Sequence, residues 1–276
     1  MLSLLVTLAF SFSVRAEGPL ALRPDTACEK RYVVSFMNAA PGFFTDEKGN
    51  KQGSSFEILQ EVIRRLGCKV TEETSSHFAS TEGFVRNRVD IFGITNKSEK
   101  MNKTGEFVEM YRVPRSLVIR KDALLTEPTI ESVLKNKKIN FVGIIGGLFF
   151  IKESEKEKLF KEHRLREVPG PSEIYTALDE GRAQATFSSP AFTAYYLGKS
   201  DKLKKFKVIP DHKSEWQSLG FYLSTNRLSK TEREKIKGLI HGIRQDGTLL
   251  NIQKKYVQPE DFDYYHPEKT KDVGRL

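Results

Sequence analysis

The pattern of apolar and polar residues alternates between the period of a strand and the period of a helix. Short segments rich in β-branched and aromatic residues predict strands, and longer segments with an apolar residue every three or four positions predict helices. The predicted strands are 32–36, 69–73, 89–92, 116–119, 138–142, 183–187 and 220–224. The predicted long helices begin near Ser54, Pro171, Ser229 and Thr248. Strands that alternate with helices predict an α/β fold with parallel neighbouring strands and right-handed crossovers.

Two of these helices begin with the spacing of a capping box. Ser54 and Glu57 stand three residues apart, as do Ser229 and Glu232. In a capping box the first side chain accepts a hydrogen bond from the third helical N–H. The acidic side chain in turn accepts one from the N–H of the first residue. We therefore predict a boxed start for both helices, and we predict that Gly67 ends the first one.

A short pattern of helix, turn and strand occurs twice. Asn87-Arg88 separates a predicted short helix from a strand, and Gly181-Arg182 does the same in the second half of the chain. The repeat is weak, but it indicates two lobes of similar design.

One continuously apolar segment, Leu2–Val14, lies at the N-terminus and is too short to span a bilayer comfortably. Val14-Arg15-Ala16 follows where a signal peptidase would cut. We predict that residues 1–16 are a secretory signal peptide and that the mature protein is periplasmic. No Lys or Arg precedes the apolar segment, so the natural start could lie upstream, and the alternative is a buried N-terminal strand or helix.

Export to an oxidising compartment permits a disulfide between Cys28 and Cys68, the two cysteines of the chain. Each precedes one of the first two predicted strands, whose starts lie at one edge of a parallel sheet. A bridge would close a loop of about forty residues and add about 3–4 kcal/mol of stability. Two unpaired buried cysteines are the alternative. Lipidation of Cys28 is disfavoured because 25–27, Asp-Thr-Ala, lacks the upstream apolar residue.

The distribution of charge along the chain argues against nucleic acid as a partner. The 276 residues carry a formal net charge of +9, which becomes +8 when 1–16 is removed, since Arg15 is the only charged residue there. Lysines and acids are interspersed, and no basic stripe is interleaved with aromatics, so nucleic acid is not an expected partner. The basic balance weakly favours an acidic membrane surface or an anionic ligand. The polar tail, 258–276, is expected to lie on the surface or to be disordered.

Several motifs, taken in order, resemble those of bacterial extracellular solute-binding proteins of family 3, which have the type II periplasmic fold. The resemblance runs from about Arg31 to Val257. Five motifs carry the resemblance. They are the opening strand and its Pro-Gly-Phe-Phe loop (36–44), the first helix (53–67), the Asn-Arg-Val-Asp-Ile entry to a strand (87–91), the second-lobe strand that ends in Ser-Ser-Pro (181–190) and the Asp-Gly-Thr-Leu turn (246–249). No single motif is specific, but their order and spacing are.

The resemblance implies two α/β lobes joined by two hinge strands, with a ligand cleft between them that closes by hinge motion. The expected boundaries are 28–114 with 215–257 for lobe 1, 119–211 for lobe 2, and hinges near 113–117 and 213–220. Ligand would contact strand ends and helix N-termini from both lobes.

The resemblance also implies a set of ligand-binding residues. Phe43 and Phe44 fall where the family places an aromatic wall, although a loop-anchoring role in the core is the alternative. Thr95 and Asn96 follow a strand and would hydrogen-bond the ligand, or form an ordinary turn. The backbone N–H groups of Gly146 and Gly147 would hold an anion. A plain tight turn is the alternative.

Two positions depart from the family pattern. Binders of free α-amino acids place an Arg near position 101 to hold the carboxylate, and an Asp at position 188 to hold the ammonium. Here these residues are Met101 and Ser188. We therefore predict a small polar ligand other than a standard α-amino acid. Ser188 stays a candidate contact, and Arg115, or Arg112, could replace the carboxylate clamp, unless both are solvated hinge residues.

The remaining signals point away from catalysis. The sequence has no H-E-x-x-H, C-x-x-C, G-x-S-x-G or Walker motif, and its five histidines lack metal-ligand spacing. We predict a monomeric binding protein that needs no cofactor and delivers solute to an inner-membrane ABC-type importer. A sensory binding protein and an enzyme on the same scaffold are the alternatives. His77 and Trp216 are rim candidates, with packing roles as the favoured interpretation.

Overall fold

The predicted alternation of strands and helices is present in the computed structural model, which describes residues 28, 30–123, 128–145, 150–198 and 201–265. The strands are β1 (Arg31–Met37), β2 (Phe44–Thr45), β3 (Lys51–Gln52), β4 (Lys69–Ser75), β5 (Ile91–Asn96), β6 (Gly105–Val113), β7 (Ser116–Arg120), β8 (Phe141–Ile144), β9 (Leu165–Val168), β10 (Ala185–Ser188), β11 (Phe206–Pro210) and β12 (Gln217–Ser224). The α-helices are α1 (Ser54–Leu66), α2 (His77–Val85), α3 (Glu99–Asn102), α4 (Ile130–Lys135), α5 (Glu153–Lys161), α6 (Pro171–Asp179), α7 (Pro190–Leu197), α8 (Lys230–Gln245) and α9 (Thr248–Gln253).

The main strands form two five-stranded sheets. The first has the order β4-β1-β5-β12-β6, and the second has the order β11-β7-β10-β8-β9. In the first, β1 is parallel to β4 and β5, while β12 is antiparallel to β5 and β6. In the second, β8 is parallel to β9 and β10, while β7 is antiparallel to β10 and β11. The parts of the chain built on these sheets are called lobe 1 and lobe 2 below.

The chain passes between the lobes twice. It leaves lobe 1 between Val113, the end of β6, and Ser116, the start of β7. It returns between Pro210, the end of β11, and Gln217, the start of β12. Because β12 lies between β5 and β6, the returning chain is held inside the first sheet. The α/β architecture with two lobes, predicted from the sequence, is confirmed.

The twice-occurring pattern of helix, turn and strand has one backbone conformation in both lobes. Asn87 has φ 57° and Gly181 has φ 74°, so both residues are left-handed. The N–H of each donates to a carbonyl three residues back, on Phe84 and Leu178 respectively. Asn and Gly are the residues that adopt this conformation at least cost. The weak sequence repeat therefore corresponds to a repeated helix end.

The two predicted capping boxes have different outcomes. The Ser229 hydroxyl accepts from the Glu232 N–H, and Glu232 Oε2 accepts from the Ser229 N–H at 2.7 Å, which confirms the box of α8. At α1 the box is wrong, because Gly53 is the N-cap and no side chain caps the helix. Gly53 has φ 126°, and a Cβ there would lie 2.3 Å from the Gly42 carbonyl oxygen.

The Gly53 turn exists because α1 begins against the loop that precedes it. The Ser54 N–H donates to the Pro41 carbonyl at 3.0 Å, and the Ser55 N–H donates to the Gly42 carbonyl at 2.8 Å. Glu57, the expected second member of the box, accepts instead from Lys255 and Tyr256 at the end of the chain. Long-range packing thus replaced a local cap that the sequence favoured.

Cys28 and Cys68 are joined by a disulfide with an S–S distance of 2.06 Å and a Cα–Cα distance of 4.9 Å. The bridge ties the chain just before β1 to the chain just before β4, and these strands pair in parallel from Arg31 and Lys69 onward. The alternative of two unpaired cysteines is therefore not realised. The predicted signal peptide, 1–16, lies outside the described residues.

The first part of the C-terminal tail packs into lobe 1. Pro259–Tyr265 forms a 3-10 helix in which Asp261 and Tyr265 are buried. The Phe262 ring packs on the core, with the Lys254 ammonium 5.8 Å from its centroid. The expectation of a surface or disordered tail is wrong for 259–265, because apolar side chains within a polar sequence anchor it. The remainder of the tail lies outside the described residues.

Removing the disulfide should lower stability because the unfolded chain regains the entropy of a forty-residue loop. We expect the double variant Cys28→Ser/Cys68→Ser to lose about 2–4 kcal/mol in urea unfolding. Reductant should lower the melting temperature of the natural protein and leave that of the variant unchanged. Equal melting temperatures with and without reductant, with free thiols counted, would contradict the bridge.

The buried Asp261 should make stability depend on pH. Burial, together with the neighbouring Glu260 carboxylate, raises the pKa of Asp261 to about 6. The folded state therefore holds this proton more tightly than the unfolded state, so the charged form costs stability above pH 6 and the cost disappears below pH 4. Asp261→Asn should gain about 1–2 kcal/mol at pH 7.5, since one pKa unit is about 1.4 kcal/mol.

Denaturation at pH 7.5 and pH 4 measures this difference. Glu47→Gln, at an exposed carboxylate between β2 and β3, is the control and should change stability little at either pH. A gain for Asp261→Asn that persists undiminished at pH 4 would show that the effect is not the ionisation of Asp261.

Candidate functional site

A cavity of about 260 Å³ lies between the two lobes. Its lining comes from strand ends, helix starts and loops of both lobes. Lobe 1 contributes, among others, Phe36, Phe43, Thr95, Met101, Tyr111 and Gln253, and lobe 2 contributes Ile144, Phe150, Gly170, Ser189 and Phe192. The carboxyl ends of β1, β5 and β8 all face this space, which is where ligands bind in open α/β sheets.

The predicted aromatic pair separates into two roles. Phe43 lines the cavity, and its ring stacks on Phe36 at 5.0 Å with an interplanar angle of 14°. The Phe56 ring lies 5.6 Å from the Phe43 ring, so Phe43 is held as a fixed wall. Phe44 is not among the lining residues. Its ring lies 5.7 Å from Tyr195 of α7, so it bridges lobe 1 and lobe 2 beside the cavity.

The two predicted polar residues at the end of β5 both line the cavity. Thr95 is 3% exposed and stands opposite Gly220 in the sheet. The Asn96 Nδ2 donates to Gln217 Oε1 at 2.7 Å, which joins the end of β5 to the start of β12. Thr95 is thus the freer of the two to meet a ligand, while Asn96 also fixes the returning strand.

The positions that depart from the family pattern carry no charge into the cavity. Met101 lines it, is 1% exposed and packs with the buried rings of Phe84, Phe92 and Tyr222. Ser188 is fully buried, and its hydroxyl lies 2.6 Å from the Tyr175 hydroxyl. β10 therefore turns the Ser188 side chain, a predicted ligand contact, into the lobe 2 core, and Ser188 is not among the cavity-lining residues.

The residue after Ser188 takes its place at the cavity. Ser189 lines the cavity and caps α7, accepting from the Phe192 N–H at 3.5 Å. The D-S-P motif of the family and the S-S-P of this chain thus differ at a position whose side chain points inward here.

Arg115, the predicted carboxylate clamp, is bonded to protein partners and is not among the cavity-lining residues. Its side chain is 2% exposed. Nη1 and Nη2 donate to the two Glu155 oxygens at 2.7 and 2.8 Å, and Nε donates to Asp211 at 2.7 Å. Nη1 also donates to the Phe150 carbonyl, and the guanidinium lies 4.3 Å from the Phe187 ring centroid. These bonds use four of the five guanidinium N–H groups.

This ion cluster joins three separate segments. Arg115 lies in the first crossing between lobes, Asp211 lies in the second, and Glu155 lies on α5 of lobe 2. Although burial favours the neutral carboxyl, the Ser214 hydroxyl and the Arg115 guanidinium together lower the pKa of Asp211. Asp211 and Arg115 are therefore both charged at neutral pH, and the cluster ties both crossings to lobe 2.

Three buried polar atoms of cavity-lining residues have no hydrogen-bond partner within the described part of the chain. They are His77 Nδ1, Thr81 Oγ1 and Gln253 Nε2. An unsatisfied buried polar atom costs about 1–3 kcal/mol, so such atoms in a cavity are matched to a ligand or to water. Sequence analysis placed His77 at the rim and missed the other two. Thr81 follows His77 by one helical turn on α2, whereas no local signal marks Gln253.

The electrostatic character of the cavity is positive. Among its described lining residues there is no Asp or Glu, and the cationic ones are Lys97 and Lys100. Lys100 pairs with Glu82 at the surface. The cavity also receives the first residues of α1, α2, α6 and α7, and helix N-termini carry partial positive charge. Burial and the nearby Lys156 ammonium lower the pKa of His77, which keeps it neutral at pH 7.

The other predicted residues lie elsewhere. Gly146 and Gly147 fall outside the described residues, and Ile144 and Phe150 on either side line the cavity. Trp216 is 47% exposed beside the second crossing and is not among the lining residues. In the described residues, no group of three His, Cys, Asp or Glu side chains could hold a metal ion. A helix of membrane-spanning length and apolarity is likewise not found among them.

Comparisons with known proteins agree with this geometry. The model of the family described as bacterial extracellular solute-binding proteins, family 3, matches residues 32–259. The L-cystine-binding protein TcyK of Bacillus subtilis (strain 168) is 24% identical over 218 residues, which is 78% of each chain.

Two solved structures show the same fold. A structure from Listeria monocytogenes assigned to L-cystine ABC transport has a TM-score of 0.70 and 21% identity, covering 86% of this chain and 99% of its own. A histidine kinase sensor domain with similarity to periplasmic binding proteins has a TM-score of 0.69 and 16% identity, covering 82% and 96%. The predicted type II periplasmic-binding fold is thereby confirmed.

Removing the Arg115 guanidinium should destabilise the protein strongly, because Glu155 and Asp211 would be left as buried, uncompensated charges. We expect Arg115→Met to lose about 3–5 kcal/mol in urea unfolding. Arg112→Met is the matched control. Its guanidinium is partly exposed and pairs with Glu109, so a loss under about 1 kcal/mol is expected. Equal stability of the two variants would contradict the structural role of Arg115.

Proposed function

The chain belongs to the bacterial extracellular solute-binding proteins of family 3, and we propose that it binds one small solute in the interlobe cavity and releases it unchanged. The observation that carries the proposal is the cavity itself, which is walled by both lobes and contains unsatisfied polar atoms. Binding would bring the lobes together, since each supplies part of the contact surface. Hinge motion at the two crossings is the expected route.

The ligand we propose is an acid that lacks an ammonium group and carries an apolar or aromatic portion. Helix N-termini and Lys97 favour a negative charge, and the described lining offers no carboxylate to neutralise a positive one. An ammonium group moved from water into this space would lose its hydration without gaining an ion pair. Phe43, Phe150 and Phe192 provide apolar surface for the rest of the molecule.

The names of the relatives do not decide the ligand. The Bacillus subtilis protein is named for L-cystine, which carries two ammonium groups, and its identity to this chain is 24%. The family pattern holds such groups with an Asp at the position of Ser188, which is buried against Tyr175 here. The contacts of this cavity, and not the relatives, therefore define our proposal.

We propose that the protein acts in the periplasm and delivers its solute to an ABC-type importer of the inner membrane. The predicted signal peptide and the family membership support this location and role. The similarity to a histidine kinase sensor domain favours sensing as a second candidate. A sensory protein would use the same cavity, and reconstitution of uptake with a candidate permease distinguishes the two roles.

Paired ligands that differ only in the ammonium group test the proposed specificity. Isothermal titration would compare 3-phenylpropanoate with L-phenylalanine, and succinate with L-aspartate. For at least one pair we expect the deaminated acid to bind at least tenfold more tightly, or about 1.4 kcal/mol. Tighter binding of the amino acid in either pair would contradict the proposal.

The aromatic wall supplies the control for this titration. Phe43→Leu should weaken 3-phenylpropanoate more than succinate, because only the first has a ring to lie against Phe43. An equal loss for both acids would indicate a general disturbance of the cavity.

A further inference from the structure

One side chain that lines the cavity comes from a segment beyond the family match. The match ends at residue 259, and the 3-10 helix Pro259–Tyr265 begins there. Tyr265, its last residue, is 3% exposed and lines the cavity. The part of the chain that the family model does not cover therefore contributes to the site.

The segment is anchored on lobe 1 and not merely laid over it. The Tyr265 ring meets Tyr111 of β6 edge-on, with centroids 4.9 Å apart and an interplanar angle of 70°. The Asp261 N–H donates to the Gln258 carbonyl at 2.9 Å. Phe262 packs on the core beneath Lys254. These contacts fix the position of the Tyr265 ring before any ligand arrives.

Tyr111, Tyr265 and Gln253 line the cavity together, and they differ in what they offer a ligand. The two rings offer apolar faces and edges. Gln253 is 1% exposed, and its Nε2 makes no hydrogen bond of good geometry within the described residues, although it lies close enough to the Tyr111 hydroxyl to influence it. Burial raises the pKa of Tyr111, whose hydroxyl interacts with the Gln253 side chain, so that hydroxyl stays protonated. An amide donor beside two rings matches an oxygen acceptor carried on a planar group.

We propose that the C-terminal segment completes the cavity and that Tyr265, Tyr111 and Gln253 form a subsite for an aromatic ring bearing a hydroxyl or carbonyl oxygen. This rests on the proposed function and makes Tyr265 and Gln253 residues that determine specificity. The ring of the ligand packs against the two tyrosines. Its oxygen accepts the hydrogen bond that Gln253 Nε2 does not make within the protein.

Two probe acids separate the ring contact from the hydrogen bond: 3-phenylpropanoate and 3-(4-hydroxyphenyl)propanoate. In the natural protein we expect the hydroxylated acid to bind at least fivefold more tightly. Gln253→Leu should abolish that preference, because the donor is gone. Tyr265→Ala should weaken both acids at least tenfold, whereas Tyr265→Phe should weaken them less than threefold. Phe160→Ala removes an exposed ring of α5 outside the cavity and is the control, with unchanged affinities.

The outcomes distinguish this inference from the proposed function. If the natural protein binds the acids and the Tyr265 and Gln253 variants bind them equally well, the subsite is wrong and the proposed function stands. If the natural protein binds succinate but neither of these acids, the aromatic subsite is wrong and the proposed function stands. If it binds none of the three acids, the proposed ligand class is wrong, and the wall is tested without ligand.

In that ligand-free test, Tyr265→Trp is made in a Trp216→Phe background, which leaves one tryptophan in the chain. A blue-shifted emission of this tryptophan, together with weak quenching by acrylamide, supports a buried wall at the cavity. Emission and quenching like those of a surface tryptophan would overturn the inference.

Discussion

The attachment of both crossings to lobe 2 depends on one buried guanidinium. Arg115 holds Glu155 of α5 and Asp211 of the second crossing from its own place in the first crossing. Buried charges are expensive unless they are paired and hydrogen-bonded, so these three side chains stabilise only the geometry that keeps them together. The cluster also holds Phe150, which lines the cavity, because Arg115 donates to its carbonyl. The residue that sequence analysis offered as a ligand clamp thus makes its bonds inside the protein, one of them next to the site.

Under the proposed function, the cavity selects its ligand through the groups it lacks as well as through those it offers. Its described lining supplies donors and the N-terminal ends of four helices, but no carboxylate. Recognition of this kind excludes a ligand by leaving one of its charged groups unpaired, which costs more than a lost contact. The unsatisfied atoms on His77, Thr81 and Gln253 act in the opposite direction and favour binding. Each lowers the stability of the empty protein until a ligand or water forms a hydrogen bond with it.

The sequence predicted features that depend on short-range patterns. The strand and helix alternation, the capping box of Ser229 and the paired turns at Asn87 and Gly181 follow from local spacing and backbone preference. Features set by distant partners could not be predicted. The cap at Gly53 depends on a loop carbonyl, and Tyr265 lies in a segment whose polar composition concealed its few anchoring rings. Position within a motif predicted that Phe43, Thr95 and Asn96 reach the cavity. It did not predict that Phe44 lies beside the cavity, or that Ser189 lines it in place of Ser188.

The central claim is that the cleft holds an acid without an ammonium group. Its most direct measurement is mass spectrometry of small molecules released by denaturing the protein after purification from its own organism, at stoichiometry with the chain. We predict one dominant acid that has no primary amine and carries an apolar or aromatic portion. A stoichiometric α-amino acid, L-cystine included, would contradict the account.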